Sequence, residues 1–342
     1  MKIDQQLQMN HLLGVSRSFA LTIPMLPAPL KDYVANAYLL CRIADTVEDD
    51  PKAPVNHKIF WLKSFAQFAL TNFADELELL SLHRKALAIT QGAIISERKL
   101  IDDMLAVVEC TASFPFKIKQ ILGKGVSILA FGMAKSLDGF KIEQRQDVDN
   151  YCYFVAGVVG ELLAALFAEH NHNIDKQALM SLAVSFGEGL QLTNILKDRA
   201  VDAERHVSFL PYNKDSKSVE QEYIHLCQGH LDDALDFICK IPSYEAGIRR
   251  FCYVNILMAT ATLKKISNNN QQSSVSIKIS RRQLKFLLVL SNLCVKHNWS
   301  LRLLFTIISK NIPRLRRSPE ELSSRVSWWN KDISAILMKD NN

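Results

Sequence analysis

Apolar residues recur at three- and four-residue steps along most of this chain, and that period constrains its fold more than any other feature. Val34, Ala37, Tyr38, Cys41 and Ala44 form one stripe within residues 34–47. Ile59, Leu62, Phe65, Ala66, Ala69 and Phe73 form another within 59–73. The same spacing predicts helices over 100–112, 118–137, 151–169, 176–199, 220–239, 246–265, 281–296 and 301–308. Breakers fall between these runs: Pro24, Pro27 and Pro29, then Asp50-Pro51, Phe114-Pro115, Pro211 and Ile241-Pro242. Only 12 glycines and 10 prolines punctuate 342 residues, too few for the turns of a many-stranded sandwich or barrel. Strand-like alternation shows only at 274–279, a short extended piece after the polar run 268–274, which reads as a loop. The expectation is an all-α protein of about ten helices: one domain over residues 1–319 and a polar C-terminal tail over 320–342.

Seven cysteines lie scattered without a C-x-x-C pair, as expected of reduced thiols in a cytoplasmic protein. The first residues, Met1 to Gln6, lack the apolar core of a signal peptide. The longest apolar run, 155–168, is interrupted by Glu161, so no membrane span is expected. Charge is unevenly placed. Between Glu245 and Glu320 there is no acidic residue, while 14 lysines and arginines occupy the interval, in a chain whose net charge is +6. Such a block is either a solvated basic face or the complement of an anionic partner: a phosphate ligand, an anionic lipid surface or nucleic acid.

Two acidic clusters interrupt apolar helices. In the first, Arg42-Ile-Ala-Asp45-Thr-Val-Glu48-Asp49, the three carboxylates fall at i, i+3 and i+4 and share one helical face. In the second, Gln191, Asn194, Asp198 and Asp202 lie close to one stripe, with Lys197 beside them. Stacked like charges are unfavourable unless a cation offsets them, and hard oxygen donors suit magnesium, which keeps waters and recruits substrate phosphates. The plainer alternative is that each cluster is a solvated helix end. Other chemistries find less support. His170 and His172 are two apart and face different sides of a helix. Gly123-Lys-Gly125 and Gly187-Glu-Gly189 lack the remainder of a nucleotide-binding fingerprint, and no G-x-S-x-G elbow occurs.

At these residues the chain resembles the squalene and phytoene synthase family, the head-to-head prenyl transferases, and most of all its squalene synthases. Asp45-Thr-Val-Glu48-Asp49 matches the family's D-x-x-E-D motif. Asn194-Ile-Leu-Lys197-Asp198-Arg-Ala-Val-Asp202 matches N-I-x-x-D-x-x-x-D, with Phe209-Leu210-Pro211 downstream. Val15-Ser16-Arg17-Ser18-Phe19 and the run from Tyr151 to Gly160 agree as well. Two departures stand out: Lys197 occupies a position usually held by arginine, and Val207 replaces another arginine, with Arg205 nearby.

The resemblance implies a single helical domain of the isoprenoid synthase type with a central apolar cavity. It also implies a magnesium-dependent farnesyltransferase that condenses two farnesyl diphosphates through presqualene diphosphate and reduces the product to squalene with NADPH. The family alternative stops at dehydrosqualene or phytoene and needs no reductant. By the same resemblance Asp45, Glu48, Asp49, Asn194, Asp198 and Asp202 hold the metal. Ser16, Arg17, Arg42, Gln191, Asn194 and Lys197 contact the diphosphates, and Asn194, Arg205, Lys278 and Arg281 meet NADPH. Tyr151, Arg42, Asp45 and Asp198 carry the chemistry, with Tyr151 handling a proton or, in the plainer reading, serving as a hydrogen-bonded core tyrosine. Gly157 and Gly160 admit either a substrate tail or a close helix neighbour. A terpene cyclase shares the metal logic but not the Tyr151–Gly160 run, and a non-catalytic helical module would be indifferent to loss of Asp45 or Asp198.

Because the implied substrates are lipidic, the amphipathic stretches between Arg281 and Arg317 could rest on the inner face of an anionic membrane, with Phe286, Leu287, Leu290, Trp299, Leu303 and Phe305 on their apolar sides. Burial in the core is the expectation for most of these six. No nucleic acid and no partner protein are implied.

Overall fold

The computed structural model describes residues 5–16, 18–204, 207–211, 216–268 and 277–340. Among the described residues there are 17 α-helices and no strand, so the all-α expectation holds. In chain order they begin with α1 (Gln5–Val15), α2 (Phe19–Thr22), α3 (Leu30–Asp49), α4 (Val55–Leu70), α5 (Glu76–Ile89) and α6 (Ile95–Asp102). Next come α7 (Met104–Ala112), α8 (Phe116–Leu137), α9 (Arg145–Cys152), α10 (Val158–His170) and α11 (Lys176–Glu204). The order closes with α12 (Ser216–Lys240), α13 (Ala246–Asn268), α14 (Arg281–Cys294), α15 (Asn298–Ile308), α16 (Pro319–Val326) and α17 (Ile333–Asp340). A single π turn, Tyr153–Gly157, joins α9 to α10.

The chain forms two compact units, one of residues 1–140, 165–170 and 328–342, the other of 141–164 and 171–327. In the first, α3, α4 and α8 pack together over Leu39, Leu40, Ile43, Val47, Leu62, Phe65, Phe68, Leu122 and Leu129, all essentially removed from water. A buried polar relay fixes α3 against α1 and α7. The Gln8 amide donates to Asn36 Oδ1 at 3.1 Å, and Asn36 donates to the Thr111 hydroxyl. Satisfied inside the core, such groups hold one register of the helices.

In the second unit α11 lies along α12, and α12 and α13 lie side by side. The π turn and α10 approach α11 so closely that glycine is required at two positions. A Cβ on Gly160 would stand 1.9 Å from the Ala183 carbonyl oxygen, and one on Gly187 would stand 2.1 Å from that of Ala156. Between the two readings of the Gly157–Gly160 segment, the structure places a neighbouring helix against Gly160.

The run Arg145–His170 is long and apolar enough to cross a membrane, but 72% of its apolar window is buried inside the protein, as in a core helix. The stretch expected to be a polar tail instead carries α16 and α17, which bury Leu322, Val326, Ile333 and Leu337. α16 offers only two apolar positions in two turns, and α17, though apolar at five of eight positions, is too short to show a helical stripe. The extended piece at 274–279 and the loop at 268–274 fall mostly outside the described residues; 277–280 is non-helical. All seven cysteines are free thiols.

Candidate active site

Each acidic cluster lies in the C-terminal part of a long helix, and local chemistry explains why. α3 ends because Asp50 leaves helical geometry ahead of Pro51. The Asp50 carboxylate, buried, accepts the amides of Lys52 (2.8 Å), Ala53 (2.9 Å) and Gly92 (2.7 Å), which pins the turn. Two residues earlier, the Glu48 carbonyl accepts from the buried Lys58 ammonium at 2.7 Å, which satisfies a C-terminal acceptor of the helix. Asp50 therefore belongs to the scaffold, whereas Asp45, Glu48 and Asp49 remain on the helical face.

Those three carboxylates are held in a region of negative excess. Burial pushes the Asp45 carboxyl up to about 6, against the pull of the Arg42 guanidinium and with the help of Asp49. Burial also raises Glu48 well above the usual carboxylate range, and its acidic neighbours add to the effect. Arg42 Nη1 lies 3.4 Å from Asp45, while Nη2 donates to Glu97 of α6 at 2.7 Å. One arginine is thus divided between two acids, and the guanidinium Nε is buried without an acceptor. Glu97 is the site neighbour that sequence reasoning missed. It lies 55 residues from Arg42, and nothing in its own segment marks it.

The second cluster lies on α11, whose Leu192, Thr193, Ile195 and Leu196 are buried, leaving Gln191, Asn194, Lys197, Asp198 and Asp202 on the more open side. Lys197 Nζ donates to Asn194 Oδ1 at 2.9 Å and lies 3.1 Å from Asp198. The lysine that replaces the family arginine is therefore placed among the motif's own side chains. Tyr151, on α9, stacks its ring on Phe209, with centroids 4.8 Å apart and planes 22° from parallel, so the Phe209-Leu210-Pro211 motif docks on the Tyr151 motif. Ser16 accepts the Phe19 amide at 3.1 Å and starts α2. Arg17 and Arg205 lie outside the described residues. Lys278 and Arg281 are exposed.

Hard oxygen donors are the set magnesium prefers, and the desolvated, mutually repelling Asp45 and Glu48 of α3 fit such an ion. Among the described residues no three His, Cys, Asp or Glu side chains converge on a common metal position. Magnesium, which keeps waters and recruits phosphate oxygens, needs fewer protein donors than that.

The basic block proves to be partly internal. Arg317 makes a two-pronged contact with the buried Asp149 at 2.9 and 2.6 Å, Arg302 pairs with Asp236 at 2.6 Å, and Arg314 pairs with Asp232 at 3.1 Å. Acids from α9 and α12 supply the counter-charge that the 246–319 interval lacks. Leu287 and Phe305 are buried as expected, but Phe286 and Trp299 are 63% and 67% exposed, and Leu303 also faces solvent.

Comparison with known proteins agrees with the motifs. Residues 12–214 match the pattern of the family described as squalene/phytoene synthase. The squalene synthase of Schizosaccharomyces pombe is 28% identical over 322 residues, covering 87% of this chain and 68% of that protein. Those of Solanum lycopersicum and Saccharomyces cerevisiae are each 29% identical, covering 79% and 81% of this chain and 66% and 64% of theirs. The chain thus spans about two thirds of the length of these relatives. Its fold matches the structure of TcSQS with the ligand BPH1237 at a TM-score of 0.75 and 21% identity, covering 98% of this chain and 99% of that one. A dehydrosqualene synthase with bound ligand matches at a TM-score of 0.56 and 18% identity, covering 85% and 96%. With the pattern spanning well over half of the sequence and both acidic motifs set on long helices, the chain belongs to the squalene/phytoene synthase family of prenyl transferases.

Proposed function

We propose that this protein joins two molecules of farnesyl diphosphate through presqualene diphosphate and reduces the product to squalene. The observation that carries the reading is the α3 ridge: Asp45 and Glu48, desolvated and mutually repelling, with Asp49 on the same face and Arg42 one turn away. Asp45, Glu48, Asp49, Asn194, Asp198 and Asp202 would hold magnesium. When bound, that ion supplies Lewis-acid stabilisation of the departing diphosphate. Arg42 and Lys197, with Ser16, Arg17 and Gln191, would bind diphosphate oxygens. Arg42 is already oriented by Asp45 and Glu97, which take two of its five N–H donors. The hydroxyl of Tyr151, its ring fixed against Phe209, would take up or lend the proton as the carbon skeleton rearranges.

Squalene synthases generally work with magnesium and NADPH. Lys278, exposed within the non-helical piece 277–280, and Arg281, exposed just after it, together with Asn194 and Arg205, would bind the dinucleotide phosphates. NADPH supplies a hydride. Incubating the purified chain with farnesyl diphosphate and magnesium, with and without NADPH, separates the readings by mass spectrometry of the products. Squalene is expected only in the tube with NADPH. Dehydrosqualene in both tubes, with no squalene, overturns the reductive step.

Peripheral membrane contact from the cytoplasm belongs to the same proposal. On α14 the exposed Arg282, Phe286, Val289 and Leu293 lie on one stripe, opposite the buried Leu287 and Ser291. On α15 the exposed Trp299, Leu303 and Ile307 repeat every four residues, opposite Leu301 and Phe305. Both helices pack on α13, so these stripes are the sides turned away from it. Lys285, Lys296 and Lys310, all exposed, suit the rim for anionic headgroups. Changing Trp299 and Leu303 together to serine is expected to weaken co-sedimentation with phosphatidylglycerol vesicles by roughly tenfold. Unchanged partitioning would remove this face from consideration.

A further inference from the structure

A cleft of about 400 Å³ opens in the second unit where α12 ends, the 241–243 turn follows and α15 begins. None of its lining residues belongs to the family motifs. They include Lys240, Arg249, Lys296 and His297, and no aspartate or glutamate.

Arg249 stands out. It is 1% exposed, and its Nη2 donates to a neutral acceptor, Asn298 Oδ1. Its Nε is buried without any partner, and no carboxylate pairs with it among the described residues. The acid nearest in sequence on α12, Asp236, is already taken by Arg302 at 2.6 Å. A guanidinium buried without counter-charge is costly, which singles out the position as one awaiting an anion. Asn298 is itself held in place, since its Nδ2 donates to the Cys239 carbonyl at 3.2 Å and its oxygen is thereby turned to Arg249.

A second feature converges on the same cleft. The 11-residue helix α15 opens there, and its N-cap His297 makes no side-chain capping bond. The positive end of the helix and its first-turn amides therefore add to the field of Arg249 and the two lysines. Trp299 stacks on His297 at the rim, with centroids 6.3 Å apart.

We infer that this cleft is a binding site for a phosphate-class dianion, supplied as free diphosphate or as a phosphomonoester headgroup of a lipid, with Arg249 at its floor and Lys240 and Lys296 at its mouth. The site is independent of the catalytic chemistry proposed above, because it uses none of the metal, diphosphate or NADPH residues, although Lys296 and Trp299 also belong to the proposed membrane face.

Calorimetric titration of the full chain with inorganic diphosphate, in chelator so that no divalent ion supports binding at the carboxylate ridges, is expected to give a saturable isotherm. The paired change Lys240→Ala and Lys296→Ala lowers the affinity at least about tenfold, and Arg249→Met removes binding, with turnover of farnesyl diphosphate unchanged in both. The two lysines are exposed, so their variant keeps the test valid if Arg249→Met does not fold. Vesicles identify the source. If wild type prefers phosphatidic acid to phosphatidylglycerol and Arg249→Met loses that preference, the ligand is a headgroup; if diphosphate binds and no such preference exists, it is a free anion. Either result supports the site. Failure of the wild type to bind diphosphate or phosphatidic acid, or equal binding by the lysine variant, overturns it.

Discussion

Replacing Asp45 with alanine is expected to lower turnover of farnesyl diphosphate by about a thousandfold while leaving the melting temperature unchanged or higher. The two halves of this result have separate causes. The activity loss follows from removing a ligand of the ion that stabilises the leaving diphosphate, and three decades of rate correspond to about 4 kcal/mol of transition-state stabilisation. The thermal result follows from the folded state. Asp45 is desolvated beside Asp49, and burial has already pushed its carboxyl up to about 6, so its charged form does not favour folding. Its one ion pair, with Arg42 at 3.4 Å and partly solvated, is worth little to stability. Steady-state release of diphosphate and a thermal melt on the same preparation check both halves. A variant that melts lower but turns over normally would assign Asp45 to an ion pair of the scaffold and remove it from the metal site.

The largest stability effect is expected at Gly160. An alanine methyl there meets the backbone carbonyl of Ala183 at 1.9 Å, and neither partner is a flexible side chain that could move aside. The π turn and α10 would have to separate from α11, losing buried contacts along both helices, so a cost above about 3 kcal/mol is expected, with little folded protein accumulating. If the glycine instead serves to admit a prenyl tail, Gly160→Ala folds normally and changes only the KM or the product. A melt combined with a product profile separates the two outcomes.

The difference between these sites shows what a sequence can disclose. Asp45, Glu48 and Asp49 were legible because their relation is local: three carboxylates at i, i+3 and i+4 must share a face whenever the segment is helical. The α11 cluster was legible for the same reason, and so was the end of α3 at Asp50-Pro51. Helices α5 and α6 were harder to read. α5 buries only Leu82 and Ala86, too sparse an apolar stripe to register, and the segment expected as one helix over 100–112 breaks at Asp103. Glu97 could not have been tied to Arg42, because the two meet only when α6 packs beside α3.

The basic interval 246–319 marks the boundary most clearly. Its charge excess was plain in the sequence, but whether each cation faces solvent, a ligand or an internal acid depends on residues far along the chain, such as Asp149 opposite Arg317 and Asp232 opposite Arg314. The sequence by itself determined the helical class, the two carboxylate ridges and the family, since each rests on spacing within a few turns of chain. Only the tertiary structure decided which charges are spent inside the protein, which apolar stripes stay uncovered on α14 and α15, and why Gly160 admits no side chain. Those outcomes depend on distances between segments remote in sequence, and periodicity within one helix carries no information about its neighbour.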